Sequence, residues 1–375
     1  MKNQPIHVSV NPQLECAETL PSRFYTDPSV LALEKERIFR RTWQLVGTLA
    51  HPCGEVNGTK RTIAEPESYF TVDLAGEPIV VVRDTAGTLR AFSNVCRHRA
   101  GPIAQAAGCR KVFNCAYHGW TYTLDGRLIG TPEVDGMEFF DRSTMGMVPL
   151  QCETWEQFIF VNFADNGPSL NEYLGNISEL ARDSFQNLQL VERRDYLLNC
   201  NWKVYVDNYL EGYHIPVVHP GLMKEIDYPR YRCETFRYHS QQFGPVREVK
   251  PADAHERVYA PNAHGLKEAL YFWLFPNLML NFYPDNVSTN LIVPLSHDKT
   301  LTIFEWYFHD ANSVHTRERA AKAIAFSDQV QQEDIHICEA VQRGLQSFTY
   351  DRGRYSVNRE NGVHHFHMLL TEFLR

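Results

Sequence analysis

The first half of the chain alternates short apolar runs with polar turns. Between about residues 43 and 165, runs such as YFTVDL, PIVVVRD and FIFVNF are separated by glycine, proline and aspartate. Apolar segments of this length, bounded by turn-forming residues, are typical of β-strands. The pattern therefore predicts a small, mostly antiparallel β domain over 43–165.

The pattern changes on either side of this segment. Before it, residues 25–41 predict a helix, with Asp27 as the N-cap and Pro28 at the first helical position. After it, three helical stretches are predicted, at 169–188, 201–215 and about 316–346. They flank the strand-like runs ALYFWLFP, LMLNFYP, TNLIVPL and TLTIFEWYF. This mixture predicts an α+β domain in which helices pack on an antiparallel sheet.

Three segments follow from these patterns. We expect residues 1–42 to be a helical segment that packs with the last domain. Residues 43–165 form the predicted β domain and 166–375 the α+β domain, with ADNGPS as the linker between them.

Composition and charge exclude several classes of protein. The formal net charge of -8 disfavours a nucleic-acid-binding protein, since such proteins usually carry a basic domain. No apolar run reaches the roughly 18 residues of a membrane span, and the first residues show no secretory signal. We therefore expect a cytoplasmic protein that is not bound to a membrane. The cysteines are odd in number and scattered, which argues against a disulfide scaffold.

Two Cys–His pairs lie close together in the β segment. Cys96-Arg-His98 and Cys115-Ala-Tyr-His118 each combine a thiolate and an imidazole in a short loop next to glycine. Two cysteines on one iron and two histidines on the other are the ligand set of a Rieske [2Fe–2S] cluster. A Cys2His2 zinc site is the alternative, although zinc loops usually pair Cys with Cys and His with His. Cys109 is off this pattern, and we expect it to be a small buried apolar residue.

The segment NWKVYVDNYLEGYHIPVVHP holds a second group of candidate ligands. A helix over 202–215 would place four polar side chains on one face, namely Lys203, Asp207, Glu211 and His214. Pro216 predicts the end of this helix, so that His219 follows in a turn and can approach His214.

A site for iron(II) in an oxygenase uses two histidines and one carboxylate. The last predicted helix has an apolar stripe at Val330, Ile337, Val341 and Leu345. Asp334 falls on that stripe, where a carboxylate without a partner is costly and a metal ion would relieve the cost. Glu333 lies off the stripe, and we expect it to be solvated. Histidines with a structural role, or a carboxylate paired with an arginine, are the alternatives at these positions.

The segments CRHRAGP and CAYHGWTYTLDG resemble the two cluster-binding boxes of Rieske oxygenases. The resemblance implies that Cys96, His98, Cys115 and His118 are cluster ligands and that Trp120 belongs to the hydrophobic cover of the cluster. It also implies an N-terminal Rieske domain and a C-terminal catalytic domain of the helix-grip type.

The H-x4-H spacing after DNY, with a downstream Glu-Asp pair, resembles the catalytic box of the same family. It implies that His214, His219 and Asp334 hold a mononuclear iron(II) ion. Glu211 stands where most members have an aspartate that links an iron-ligand histidine to a cluster histidine of the neighbouring subunit.

Two further residue groups lie outside these ligand sets. Asp207 and Asn208 are expected beside the iron ligands and, with Glu211, to take part in catalysis. The histidines of HHFH, 364–367, are expected to be packed or solvated rather than to bind a metal.

Three stretches, VDNYLEGYH, STNLIVPL and CEAVQRGLQS with the later GVHHFH, resemble the choline and carnitine monooxygenase group. The substrates of that group are small quaternary amines, which cannot donate a hydrogen bond from nitrogen and are recognised by aromatic faces. The run YFWLFPNLMLNFY offers four candidate contacts, at Tyr271, Trp273, Phe275 and Phe282. An aromatic-rich sheet core is the alternative explanation of this run.

The implied reaction is hydroxylation or N-demethylation of such an amine by O2. Hydroxylation or dihydroxylation of an aromatic ring or acid is the alternative, and a zinc-stabilised binding protein without catalysis is a third. The sequence has no G-x-G-x-x-G dinucleotide motif. We therefore expect a separate flavin and iron–sulfur reductase, with NAD(P)H used only indirectly, and the resemblance implies a homotrimer.

Overall fold

A computed structural model describes residues 9–180, 188–248 and 268–375. Two compact units divide the chain, one of Phe39–Glu172 and one of the described parts of Met1–Ile38 and Tyr173–Arg375. The boundaries predicted from the sequence, at 42/43 and 165/166, remain a proposal. Within the described residues, no helix is both long enough and apolar enough to cross a bilayer.

The regular secondary structure of the unit Phe39–Glu172 consists almost entirely of short strands. They are β1 Gln44–Thr48, β2 Pro52–Val56, β3 Thr59–Thr62, β4 Ser68–Leu74, β5 Glu77–Arg83, β6 Leu89–Ser93, β7 Ala107–Cys109, β8 Val112–Asn114, β9 Thr121–Thr123, β10 Leu128–Gly130, β11 Pro149–Trp155 and β12 Phe158–Asn162. A seven-stranded sheet has the order β1-β12-β11-β6-β5-β4-β7, and β10-β9-β8 form a smaller sheet. All described strand pairs are antiparallel, as the apolar runs predict.

The other unit is built on a second antiparallel sheet. Its strands are β13 Leu188–Leu198, β14 Arg232–Thr235, β15 His239–Pro245, β16 Glu268–Leu274, β17 Leu278–Phe282, β18 Asn286–Ser296 and β19 Lys299–His309. Their order is β13-β19-β18-β17-β16-β15-β14. Strands β16 to β19 coincide with the four strand-like runs of the sequence, and the α+β prediction is confirmed.

Helices accompany this sheet. They are α1 Arg23–Thr26, α2 Pro28–Glu34, α3 Leu170–Leu174, α4 Ile177–Leu180, α5 Trp202–Tyr209, α6 Ile215–Val218, α7 Leu222–Glu225, α8 Val314–Leu345 and α9 Asn361–Leu374. Helix α8 begins at the predicted place, because the Ser313 hydroxyl accepts a hydrogen bond from the Thr316 amide. The predicted helix 169–188 contains α3 and α4, and its residues 181–187 lie outside the described part.

Two predicted helices are shorter in the structure. The helix expected over 25–41 begins at Pro28 behind the Asp27 cap and gives way to a π-helical turn at Lys35–Phe39. The helix expected over 202–215 ends at Tyr209. Pro216 does not end it, and instead lies in the first turn of α6, where a missing N–H costs nothing.

A buried ion pair joins α2 to α5. Lys203 is 0% exposed, and its Nζ lies 2.8 Å from Glu34 Oε1. The indole of Trp202 donates to the other Glu34 oxygen at 2.8 Å. Lys203 therefore serves the packing of the N-terminal segment, and it does not share the functional face on which the helical prediction placed it.

Candidate active site

The two Cys–His loops come together at one end of the first unit. Cys96 follows β6 and Cys115 follows β8, and both side chains are buried. Gly101 allows the loops to approach, since a Cβ at that position would lie 3.1 Å from Cys115 Sγ. The thiolates are thereby held in an enclosed place with no room for larger neighbours.

The two imidazoles of these loops are adjacent. The ring centroids of His98 and His118 are 4.6 Å apart, and Trp120 stacks on His98 at 4.8 Å. Among the described residues, the buried His98 Nδ1 has no hydrogen-bond partner. A buried nitrogen without a partner beside two buried thiolates fits a metal cluster that takes all four donors.

Tyr122 is a member of this site that the sequence reasoning missed. Its hydroxyl accepts a hydrogen bond from the Arg97 amide at 3.1 Å and lies 3.3 Å from Cys96 Sγ. Because the amide can only donate, the hydroxyl proton is free to point at the sulfur. Burial, followed by the hydrogen bond to Cys96, raises the pKa of Tyr122, so the donor stays protonated. The only signal for Tyr122 in the sequence is its place as the middle residue of TYT, whose side chain points inward between two outward threonines.

Three predicted ligands converge in the second unit. His214 and His219 flank α6, and Asp334 projects from α8. The Nε2 atoms of the two histidines are 3.1 Å apart, and Asp334 Oδ1 lies 3.0 Å from His219 Nε2 and 3.7 Å from His214 Nε2. All three ligand atoms lie within 4.8 Å of one another. The set fits a 2-His-1-carboxylate metal centre, in which three ligands occupy one side of the ion.

Each histidine is turned toward this point by a glutamate. His214 Nδ1 lies 2.6 Å from Glu211 Oε1, and His219 Nδ1 lies 2.7 Å from Glu333 Oε2. An imidazole that donates from Nδ1 to a carboxylate presents Nε2 as its basic nitrogen. The expectation that Glu333 is simply solvated is therefore wrong. Its carboxylate keeps part of its contact with solvent but bonds to His219 on the side away from Asp334.

Glu211 also shapes the turn between α5 and α6. Its Oε2 accepts hydrogen bonds from the backbone amides of Tyr213 and His214. These bonds replace the continued helix that the sequence suggested, because a carboxylate that caps two amides stabilises a turn.

Asn208 and Asp207 separate in the structure. Asn208 Nδ2 donates to Asp334 Oδ1 at 2.7 Å and so holds the carboxylate of the ligand set. Asp207 points elsewhere: it accepts from Tyr25 at 2.7 Å and lies 2.9 Å from His367 Nε2. The expectation that Asp207 lies beside the ligands is wrong, and the buried His367 shows that HHFH is partly packed in the core.

The local charges act on His219. Burial alone would lower its pKa, but the carboxylates of Asp334 and Glu333 outweigh burial, and the pKa is raised. In the absence of a cation, the site stabilises a proton on this imidazole, which is the electrostatic signature of a place built for positive charge.

A cavity of about 110 Å³ opens on the three ligands. Four residues of its wall on the sheet side form one cross-strand row, since Gln242, Tyr271, Asn281 and Ser288 are register partners on β15, β16, β17 and β18. Six of its other side chains are tyrosines or phenylalanines, namely Tyr205, Tyr209, Tyr231, Tyr283, Phe304 and Phe326.

The four aromatic residues expected at the substrate divide between cavity and core. Tyr271 lines the cavity. Trp273 packs on Phe366 of α9 at 5.2 Å, and neither Phe275 nor Phe282 belongs to the described cavity wall. For these three the alternative explanation, an aromatic sheet core, is the correct one. Trp273 and Phe275 pack on Phe366 and Phe373 of α9, whereas Phe282 alternates to the opposite sheet face and packs on Phe272.

Comparisons with known proteins agree with this geometry. A family profile described as Rieske [2Fe-2S] domain matches residues 56–141, and one described as ring hydroxylating alpha subunit (catalytic domain) matches residues 185–375. The first match favours iron–sulfur over zinc for the Cys–His pairs.

Relatives are similar over nearly the whole chain. Choline monooxygenase of Arabidopsis thaliana chloroplasts is 36% identical, over 96% of this chain and 84% of the relative. The carnitine monooxygenase oxygenase subunit of Escherichia coli (strain K12) is 31% identical, over 99% and 97%. The structure of a quaternary ammonium Rieske monooxygenase in complex with L-carnitine superposes with a TM-score of 0.80, at 29% identity, over 98% and 100%.

Proposed function

We propose, from the premise that the chain belongs to the family of Rieske-type ring-hydroxylating oxygenases, that it hydroxylates a small quaternary amine. The observation that carries the proposal is the convergence of His214, His219 and Asp334 on a small cavity with aromatic walls. The similarity to choline and carnitine monooxygenases over almost the whole chain supports the same substrate class.

The ligand assignments are part of the proposal. Cys96, Cys115, His98 and His118 would hold a [2Fe–2S] cluster, and His214, His219 and Asp334 a mononuclear iron(II) ion. When bound, the cluster supplies electrons one at a time and the iron(II) ion supplies the place at which O2 is reduced. Glu211 and Glu333 keep a proton on Nδ1 of each histidine, and Asn208 orients the Asp334 carboxylate.

The cavity suits a compact cation. Tyr271 and Tyr283 meet edge to face at 5.8 Å in its wall, and aromatic faces attract a cation that cannot form hydrogen bonds. Its volume of about 110 Å³ is below the roughly 150 Å³ of an engineered cavity that accepts benzene. A small amine therefore fits more readily than a polycyclic aromatic.

The proposed reaction balances with external electrons. One atom of O2 enters a C–H bond of the substrate, and the other leaves as water with two electrons and two protons. Hydroxylation of a carbon that carries oxygen gives an aldehyde hydrate, whereas hydroxylation next to nitrogen releases an amine and an aldehyde.

Members of this family receive their electrons from a reductase. We propose that a separate flavin and iron–sulfur reductase fills this role, with NAD(P)H as the ultimate donor. A homotrimer, in which Glu211 links the iron site of one subunit to the cluster of its neighbour, and a cytoplasmic location also remain proposals.

A single-turnover screen tests the substrate class without the reductase. The iron-loaded protein is reduced with dithionite and mixed with O2 and choline, glycine betaine, carnitine, proline betaine or benzoate, and products are measured by mass spectrometry. We expect product from at least one quaternary amine and none from benzoate. Asp334→Ala should abolish the product, whereas Asp351→Ala, a surface carboxylate that is 70% exposed, should not. Product from benzoate alone would refute the proposal.

A further inference from the structure

Three buried polar side chains form a cluster in the sheet wall of the cavity. Asn281, Ser288 and Asn290 are each at most 5% exposed, yet all three line the cavity. We call them the amide cluster. Buried polar side chains are costly unless they are hydrogen-bonded, so their partners indicate what they are for.

Hydrogen bonds in the amide cluster run in one direction. The Tyr209 hydroxyl donates to Asn281 Oδ1 at 2.8 Å. Asn281 Nδ2 in turn donates to Asn290 Oδ1 at 3.1 Å and to Ser288 Oγ at 3.0 Å. Asn290 and Ser288 therefore both accept a hydrogen bond from Asn281. In the part of the chain that the structure describes, the Asn290 Nδ2 amide and the Ser288 hydroxyl proton remain as unused donors.

The cluster consequently ends in donors without acceptors. Within the described residues, neither the Asn290 Nδ2 amide nor the Ser288 hydroxyl proton has an acceptor. Both residues line the cavity, so a ligand oxygen there can accept a hydrogen bond from each of these donors. The amide cluster therefore makes one part of the cavity wall polar and able to donate hydrogen bonds to an oxygen atom.

The charges around the cavity indicate whether this oxygen belongs to a carboxylate or to a hydroxyl group. Among the described wall residues, the only ionisable groups besides tyrosines are Glu211, Asp334 and the two histidines of the ligand set, and there is no lysine or arginine. A carboxylate at the amide cluster would lose its water and meet only neutral donors, which is unfavourable. A hydroxyl oxygen brings no charge and can accept from both donors.

We infer that Asn290 and Ser288, oriented by Asn281, form a subsite that binds an uncharged oxygen of the substrate, so that the enzyme selects quaternary amino alcohols over carboxylate-bearing amines. The inference rests on the proposed function, because the aromatic part of the same cavity is assigned there to the quaternary ammonium group.

Binding measurements on the iron-loaded, reduced full-length protein test the subsite without turnover. Isothermal titration calorimetry compares three probes: choline, ethyltrimethylammonium, which is choline without its oxygen, and glycine betaine, which carries a carboxylate. We expect choline to bind at least about tenfold more tightly than either, the factor for one buried donor left unpaired.

Variants assign that preference to the cluster. Asn290→Leu should lower choline affinity to the level of ethyltrimethylammonium and change ethyltrimethylammonium binding less than about threefold. Ser288→Ala, which removes the other donor with little change in side-chain size and no change in charge, should likewise reduce the preference for choline if the leucine variant folds poorly. Thr289→Val is the matched control, because successive side chains of β18 alternate between the sheet faces.

The outcomes separate the two proposals. Equal affinity for choline and ethyltrimethylammonium, or tightest binding of glycine betaine, would overturn the subsite and leave the quaternary-amine function standing. Failure of all three probes to bind, together with no product from any quaternary amine in the single-turnover screen, would overturn the function and the subsite together.

Discussion

Glu333 offers a direct test of how the iron site is held. Its carboxylate is 24% exposed and lies 2.7 Å from His219 Nδ1. Glu333→Ala removes a charge-assisted hydrogen bond from a histidine that is proposed to bind iron. Loss of such an outer partner typically weakens metal affinity about 10- to 100-fold, equivalent to about 1.4–2.8 kcal/mol.

The structure places Glu333 toward the lower half of this range. The carboxylate is partly solvated, and Gln329 Nε2 also donates to it at 3.1 Å, so that His219 is not its only partner. We therefore expect a loss of about 10- to 30-fold for Glu333→Ala, and a smaller loss for Glu333→Gln, which retains an acceptor oxygen.

Competition with a chelator under anaerobic conditions measures the Fe(II) affinity of the metal-free protein. Gln332→Ala is the matched control, because Gln332 is an exposed neighbour on the same helix. An Fe(II) affinity of Glu333→Ala within twofold of the unsubstituted protein would refute the reasoning. A comparable loss in the control would show that the effect belongs to the helix rather than to the carboxylate.

Three further predictions concern the cluster, the assembly and the fold. Tyr122→Phe should lower the cluster reduction potential by roughly 40 mV, the one-electron equivalent of a hydrogen bond of about 1 kcal/mol, and voltammetry that shows no change would contradict the contact with Cys96. Co-assembly of His98→Ala and His214→Ala chains should restore part of the turnover that each lacks alone; mixed trimers without turnover would count against transfer between subunits. His239 is 2% exposed, and burial lowers its pKa from 6.5 to about 4. Its neutral form therefore stabilises the fold above pH 6.5, and about 3 kcal/mol is lost as the pH falls from 6.5 to 4. His239→Gln should flatten that part of the unfolding profile in chemical denaturation, and an equally steep profile would contradict it.

The strands were predictable because their signal is local. Apolar runs bounded by turn residues give β16 to β19 directly, and the two Cys–His loops are complete within twenty-three residues of sequence. The register of β15 to β18 then places one cross-strand row of residues in the cavity wall. The sequence of any one of these strands does not reveal that row. The cross-strand row from Gln242 to Ser288 depends on pairing that periodicity within one strand does not encode.

The structure brings Asp334 to His214 and His219, although the apolar stripe that pointed to it is only partly right. Val341, a member of that stripe, is 45% exposed, whereas Gln331 and Gln342 are buried on α8. These glutamines are buried because each has a distant partner: Gln331 accepts from Tyr205 at 2.6 Å, and Gln342 accepts from the Asn201 amide at 2.9 Å. The buried face of α8 therefore cannot be found from a pattern of apolar residues, because part of that face is polar.

The same cause explains the errors around α5. On a helical wheel, Asp207 and Glu211 share a face and suggest one site, but hydrogen bonds to residues far away in sequence divide them. Asp207 is taken by Tyr25 and His367, which are 182 and 160 positions distant, while Glu211 caps a turn and holds His214. A carboxylate accepts up to four hydrogen bonds, and donors from elsewhere in the fold decide which carboxylate lies at the candidate metal site. The two candidate histidine ligands could be proposed because their spacing is local. The residues that orient them could not, since each is chosen by a contact that only the folded chain creates.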